Sequence, residues 1–307
     1  MTKLKVAVHG LGNIGRHVVD CLIAAPDMEC LGVVRRKASL GKDPFDLRGF
    51  PDFSSLDELT AKQGKPDVAI LCSPSRNVPD DASFYLGKGC CTVDSFDIHT
   101  GIADLIPRLD EVARKNNVAA ITAAGWDPGT DSIFRALLEA MAPCGTTFTN
   151  FGRGRSMGHS VAARSIKGVA DATSITIPIG GGRHARLVYV LPEKDASFED
   201  IQKSIATDDY FSHDPLEVRQ VTSPEEMALV ADNSHGLLME RIGASGSTGN
   251  QKFSIDMRIN NPALTAQILV SSARAVKRMQ PGSYTLIDVP PVFLLPGDRM
   301  DHVKRLV

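Results

Sequence analysis

The sequence is short of several features that would put a 307-residue chain in a special class. No apolar run approaches the roughly 20 residues needed to cross a bilayer, so a membrane-spanning helix is not expected. Charge of one sign does not dominate: 34 basic and 36 acidic residues are mixed along the chain, for a net charge of −2. Nucleic acid and anionic membranes are therefore not expected partners. Six cysteines (Cys21, Cys30, Cys72, Cys90, Cys91 and Cys144) include no CxxC pair. Zinc sites and a disulfide framework are not expected, nor is any other metal, and free thiols fit a reducing cytoplasm. Met1-Thr2-Lys3-Leu4 passes directly into a strand-like segment, so no signal peptide is expected. Internal repeats and low-complexity segments are also missing.

An ordinary globular composition remains, 43% hydrophobic and 23% charged, long enough for two domains. Leu4–His9 reads as a buried parallel strand and Arg16–Ala25 as a helix with apolar residues at Val18, Val19, Leu22 and Ile23. Met28–Val34, Val68–Cys72, Cys91–Val93 and Val118–Ile121 read as further strands, with helices over Asp80–Lys88 and Leu109–Lys115. This alternation predicts an α/β, Rossmann-type, doubly wound parallel sheet. After Ala142-Pro143 the strands lengthen and alternate, as in Ser174–Ile179, Ala185–Leu191 and Phe253–Ile259. That texture predicts a second, α+β domain built on mostly antiparallel sheet. From Pro262 helical spacing returns (Leu264, Ile268, Leu269, Ala273), predicting a helix that packs back on the first domain. The expected division is 1–125 with 262–307 as the dinucleotide-binding domain, and 126–261 as the substrate and dimerisation domain.

Gly10-Leu11-Gly12-Asn13-Ile14-Gly15 lies between the first strand and the first helix. In that context the glycines have separate tasks. Gly10 makes the turn, Gly12 lets a pyrophosphate approach the backbone, and Gly15 lets helix and strand close up, while the phosphates sit on the helix N-terminus with Asn13 and Ile14. The second strand ends in Val33-Val34-Arg35-Arg36-Lys37. No acid is available there for a ribose 2′-OH, and Arg35 and Arg36 suit a 2′-phosphate, so the expected cofactor is NADP. Ser73, Pro74 and Ser75, at the end of the Val68–Cys72 strand, complete the cofactor candidates.

Five further segments carry chemistry: Thr92–His99 after a strand, Ala124–Ser132 with the sole tryptophan, Phe151–Ser160, Gly182–Arg186, and Ile259–Thr265. The motifs Trp126-Asp127-Pro128-Gly129-Thr130-Asp131-Ser132, Ser156-Met157-Gly158-His159-Ser160 and Asn260-Asn261-Pro262-Ala263-Leu264-Thr265, in this order, resemble the meso-diaminopimelate dehydrogenase family. The resemblance covers nearly the whole chain and is nearest the shorter, broader-specificity members. It implies reversible NADP-dependent oxidative deamination at the D-centre of meso-2,6-diaminopimelate, giving L-2-amino-6-oxopimelate and ammonia, in a homodimer whose two domains are joined by a hinge. D-amino acids, or 2-keto acids with ammonia, are further substrates it implies, and lysine and cell-wall precursor metabolism is the setting.

The substrate is zwitterionic at both ends, so it needs anion holders and cation holders. Asp97 and Asp127 are candidates for the reacting amine; either could act as base or orient water. Asp127-Pro128 reads equally as a helix cap followed by proline at the first helical position. Trp126 is a candidate pocket wall or a core anchor. The backbone N–H groups of Met157 and Gly158 are candidates for the carboxylate of the reacting centre. The resemblance implies Thr176, Arg186 and His235 for the distal carboxylate, Asn261 as a further donor and Phe151 as an aromatic pocket residue. His159 reads as readily as a residue that orients its own loop. The glycine run 180–182 and the charges of Arg153 and Arg155 are departures that bear on the distal end.

Two enzyme alternatives remain. Dihydrodipicolinate reductase requires a paired-histidine and lysine signature that the sequence does not contain. A broad-specificity D-amino acid dehydrogenase or imine reductase differs at the distal end alone. A non-catalytic NADP-binding sensor would dispense with both the acidic pair and the carboxylate clamp.

Overall fold

The computed structural model describes residues 3–43, 45–230 and 235–307, and at 157 and 158 the backbone without the side chains. Two compact units divide the chain: unit 1 is Met1–Ala136 with Pro262–Val307, and unit 2 is Leu137–Asn261. Trp126–Ala136 therefore lies with unit 1.

In chain order, unit 1 begins β1 (Leu4–His9), α1 (Asn13–Ile23), β2 (Met28–Val34), β3 (Asp52–Phe53), α2 (Leu56–Gln63), β4 (Val68–Leu71), α3 (Val78–Gly87), β5 (Cys91–Asp94), α4 (Ile102–Lys115), β6 (Ala119–Ile121) and α5 (Thr130–Met141). Then come β7 (Cys144–Phe151), β8 (Gly154–Ser156), α6 (Met157–Ser165), β9 (Val169–Gly180), β10 (Arg183–Pro192), α7 (Phe198–Thr207), β11 (Leu216–Gln220), α8 (Pro224–Val230), β12 (His235–Ser245) and β13 (Thr248–Ile259). The chain closes with α9 (Asn261–Val276), β14 (Gly282–Tyr284) and α10 (Arg299–Leu306).

Unit 1 holds one seven-stranded sheet in the order β14-β6-β5-β4-β1-β2-β3, and its pairings are parallel. Both faces of such a sheet must be covered, which is why β1 and β4 read as near-continuous apolar runs. Val6, Val8, Ile70, Val93 and Ile121 are fully buried in its core. The helical spacing from Pro262 forms α9, and Ala266, Leu269, Val270 and Ala273 join that same core. Strand order reverses between β1 and β4, the place where α/β sheets open a crevice beyond their C-terminal ends.

Unit 2 contains a four-stranded sheet, β11-β10-β9-β8, and a three-stranded antiparallel sheet, β13-β12-β7. β9 and β10 form a long antiparallel hairpin whose tip is the 180–182 glycine run, while β10 and β11 pair in parallel. Val188, Val190, Ile201, Ile205 and Phe211 pack beneath that sheet. Two elements run beyond the sequence expectation. Helix α4 starts at Ile102 and continues through Pro107, instead of starting at Leu109. Helix α7 is capped by Ser197, whose side chain accepts from Asp200 N–H.

Candidate active site

The dinucleotide turn follows β1. Gly10 has φ +94°, and a Cβ there would meet the Cys72 carbonyl oxygen at 2.9 Å. A Cβ on Gly15 would meet the Gly10 carbonyl at 2.3 Å, so helix and strand approach as closely as a glycine pair allows. Gly12 differs: nothing lies within 4 Å of its would-be Cβ. Helix α1 has no side-chain cap and no acid in its first turn, so its N-terminal N–H groups face that open space. Those residues fit a pyrophosphate.

At the end of β2 the basic residues separate. Arg35 is 8% exposed, and its Nε donates to Asp52 Oδ2 at 2.8 Å while Nη2 reaches the same oxygen and the Lys42 carbonyl. Arg36 and Lys37 are exposed. Arg35 is thus a cation fixed by Asp52, and the other two are free to swing.

Asp97 and Trp126-Asp127 stand on the loops after β5 and β6. Between the two loops lies a further carboxylate, outside the residues singled out from sequence. Asp94, fully buried at the end of β5, accepts from Phe96 N–H, Thr122 Oγ1 and Ala123 N–H at 3.0, 2.9 and 3.2 Å. Burial pushes its carboxyl up to about 6 against those bonds. It ties the Asp97 loop to the β6 end. Asp97 itself is exposed and accepts from Ser75 Oγ at 2.5 Å, bringing together a cofactor candidate and a catalytic candidate.

The next loop is closed by backbone bonds: Gly125 N–H donates to the Pro128 carbonyl, and Thr130 N–H to the Gly125 carbonyl, both at 3.0 Å. Gly129 has φ +140° and lies so close to Gly125 that a side chain would overlap it. Helix α5 begins at Thr130, so Pro128 is outside it. Asp127 instead accepts from Arg135 Nη1 at 2.8 Å. Trp126 is 6% exposed. Asp131 is buried, with Arg135 at 4.0 Å and Asp127 as a like-charged neighbour. Burial first, and Asp127 second, push its carboxyl up to about 7.

In unit 2 the candidates cluster around β9. Thr176 pairs with Gly154 of β8 on one side and with Arg186 of β10 on the other. Arg186 Nη1 donates to Thr176 Oγ1 at 2.5 Å, and Nε donates to Asp214 Oδ2 at 2.7 Å. β8 runs straight into α6, whose first residues are Met157 and Gly158; their side chains lie outside the described residues. Ser156 Oγ and His159 Nδ1 are 2.9 Å apart, and the His159 ring stands edge-on to Tyr210 and Phe211. Burial and then the Arg186 guanidinium hold that imidazole below its ordinary range.

Phe151, 46% exposed, ends β7, and the next residue, Gly152, donates its N–H to the Gly236 carbonyl at 2.6 Å. A Cβ on Gly152 would touch the Thr176 methyl at 2.9 Å. His235, exposed, precedes Gly236 at the start of β12; Asn233 and Ser234 before it lie outside the described residues. Phe151, Thr176, Arg186, His235 and the α6 N-terminus are thus linked through adjoining strands. Asn261 is the first residue of α9.

Residues 4–93 match the "Oxidoreductase family, NAD-binding Rossmann fold", and residues 125–182 match the "Diaminopimelic acid dehydrogenase C-terminal domain". The meso-diaminopimelate D-dehydrogenase of Bacteroides fragilis is 49% identical over 307 residues, covering 100% of both chains. The chain belongs to the meso-diaminopimelate D-dehydrogenase family. Among solved structures, the Corynebacterium glutamicum DAP dehydrogenase in complex with DAP is similar at 30% identity and TM-score 0.70, with 100% of both chains covered. An engineered D-amino acid dehydrogenase bound to NADP+ is similar at 28% identity and TM-score 0.69, again with 100% of both covered. Beyond the motifs noted from sequence, this dehydrogenase places Asp94, Asp131, Arg135 and Asp214 against the candidate residues. Asp94 and Asp131 stand inside those motifs, three residues before Asp97 and four after Asp127, and that proximity was their available signal.

Proposed function

We propose that the protein deaminates meso-2,6-diaminopimelate oxidatively and reversibly at its D-centre, with NADP as hydride acceptor. The observation that carries this reading is the C-terminal edge of one parallel sheet, where the phosphate-accepting turn, Asp97 and Asp127 stand on the loops after β1, β5 and β6. A full-length relative with the matching name supports it.

NADP, when bound, takes the hydride. The Gly12 opening and the α1 N-terminus hold its pyrophosphate, and Arg35 and Arg36 hold the 2′-phosphate, Arg35 from a position fixed by Asp52. The substrate enters as an ammonium. Asp127 Oδ1 is engaged by Arg135, so Oδ2 is the atom offered to an N–H of the reacting amine. Asp97, steadied by Ser75, supplies the second carboxylate. Asp127 or Asp97 accepts the ammonium proton and passes it to solvent, and once the α-carbon has given up its hydride the nitrogen carries an iminium charge that both carboxylates stabilise. Water adds to the iminium carbon as a carboxylate accepts its proton; the carboxylate hands that proton to the nitrogen, then takes the hydroxyl proton as the carbon–nitrogen bond breaks, releasing ammonia and L-2-amino-6-oxopimelate. Trp126 walls the reacting centre. Met157 and Gly158 N–H groups hold the adjacent carboxylate, and Thr176, Arg186, His235 and Asn261 hold the distal L-centre, with Phe151 beside it.

A broader D-amino acid range is a second reading, favoured by the three successive positive-φ glycines at the tip of the β9–β10 hairpin. The protein acts in the cytoplasm as a homodimer. β13 supports the dimer: it is an edge strand that keeps Phe253, Ile255, Met257 and Ile259 half-buried on one face. No described helix is long and apolar enough to cross a membrane.

The activity is tested by incubating the protein with meso-diaminopimelate and NADP+, and following NADPH absorbance together with ammonia. One ammonia per NADPH supports the reading; NADPH without ammonia overturns it. Elution from a sizing column as a monomer would overturn the dimer.

A further inference from the structure

At the opposite end of the unit 1 sheet, the N-terminal ends of β1 and β4 open into a cavity of about 570 Å³. Lys3, Lys5, Lys65, Arg274, Lys277 and Arg278 line it. β1 separates it from the dinucleotide turn by about 17 Å of strand, five steps of roughly 3.3 Å. We propose that this cavity is a binding site for a small polyvalent phosphate, separate from the cofactor site.

Charge is the first argument. The six cations face two carboxylates, Asp27 and Asp67. Both are already engaged. Asp27 takes a two-pronged bond from Arg274, at 2.6 Å from Nε and 2.9 Å from Nη2, and Asp67 accepts from Lys5 N–H at 3.0 Å with Lys277 Nζ at 3.9 Å. Among the described residues Lys3, Lys5 and Lys65 have no carboxylate within ion-pair distance. Four positive charges in excess, collected in a concavity, focus the field on whatever anion enters.

Origin is the second. Arg274, Lys277 and Arg278 stand at the C-terminal end of α9, where cations commonly offset a helix dipole. That accounts for three of the six. Lys3 and Lys5 come from β1 and its approach, and Lys65 from the turn between α2 and β4, so no helix end explains their convergence. Arg274 is 8% exposed and locked by Asp27, which gives the site one rigid wall. The lysines are exposed point charges on flexible stems.

Chemistry narrows the ligand. Lysine suits phosphate oxygens without demanding the planar geometry that pairs with arginine. Leu4 is the one apolar residue in the lining, so no surface is built to stack a base. The volume falls in the range of small-molecule sites, roughly 300–1,000 Å³. A chain of linked phosphates matches both the charge and the space, as free polyphosphate or as the tail of a nucleotide.

The test is calorimetric titration of the NADP+-saturated protein, so that the dinucleotide turn is filled, with inorganic triphosphate in one arm and ATP in the other. Saturable one-to-one binding of triphosphate, weakened roughly tenfold or more in Lys3→Glu/Lys65→Glu, is the expected result. Equal binding of ATP assigns the site to the phosphate chain from either source, and weaker binding of ATP assigns it to free polyphosphate. Lys277→Gln, a milder change at another wall, should weaken binding in the same direction. Heats that do not saturate, or unchanged affinity in both variants with circular dichroism intact, would overturn the proposal.

Discussion

Arg186 and Thr176 face each other across the β9–β10 ladder as register partners, joined by a bond from Arg186 Nη1 to Thr176 Oγ1 at 2.5 Å. Asp214 holds the other edge of the guanidinium at 2.7 Å, so the cation is aimed before any ligand arrives. Atoms at the distal end of the proposed substrate do not change charge during hydride transfer. Groups that hold them bind ground state and transition state about equally. Arg186→Met should therefore raise the KM for meso-diaminopimelate roughly 10- to 150-fold, the equivalent of about 1.5–3 kcal/mol, and leave kcat within a few-fold. Activity on D-leucine relative to diaminopimelate should rise, because the variant no longer presents a guanidinium to an apolar tail. Steady-state kinetics on both substrates check this; a fall in kcat on both would move Arg186 to the reacting end.

Asp127 should behave in the opposite way. In the proposed mechanism its carboxylate meets a positive charge that settles on the iminium, so Asp127→Asn should lower kcat by ~10²-fold or more, beyond any change in KM. Pre-steady-state measurement of NADPH formation separates this from slow product release. An unchanged first-turnover rate would contradict the assignment.

Asp131 gives a stability prediction with a definite sign. Its folded carboxyl titrates at about 7, above an unfolded value of about 3.9. A carboxyl raised on folding stabilises the protein fully below the unfolded value, and that stability is lost as pH rises towards the folded value. Native protein should therefore lose stability relative to Asp131→Asn between about pH 4 and pH 7, on the order of 4 kcal/mol. Urea unfolding of both proteins at pH 5 and pH 8 reads the difference; a gap that does not widen towards pH 8 would show that Asp131 is charged in the fold.

The basic turn separates affinity from stability. Arg35 is anchored to Asp52 and Arg36 is exposed, so Arg36→Ala should raise the KM for NADP strongly and leave Tm and NAD use nearly unchanged. Arg35→Ala should raise the same KM and also lower Tm, because it strands the Asp52 carboxylate. Equal weakening of NAD and NADP in Arg36→Ala would remove the 2′-phosphate from this turn.

Which of these features could be read from sequence follows from how local they are. β1 and β2 match their apolar runs residue for residue, because a strand buried on both faces needs no partner to declare itself. Helix α4 starts at Ile102, ahead of Leu109: a proline such as Pro107 ordinarily marks a helix start or stop, and here packing of Leu105, Leu109 and Ala113 carries the helix through it. The Trp126-Asp127 and Arg186 positions were legible as motifs and by resemblance. Asp214 was not: it lies 28 residues from Arg186, and the parallel β10–β11 pairing brings them together. Asp94 and Asp131 were visible as residues, but burial gives them their character, and burial is a property of the assembled fold.

The proposed reaction takes hydride from the D-configured centre of the substrate and leaves the L-centre untouched. The most direct test compares NADP+ reduction with meso-, LL- and DD-diaminopimelate at equal concentration, followed at 340 nm, with chiral analysis of the residual amino centre. Rapid reduction with the meso isomer, none with the LL isomer, and a product retaining the L-centre are the predicted results. Reduction of the LL isomer at a comparable rate, or a product retaining the D-centre, would contradict it.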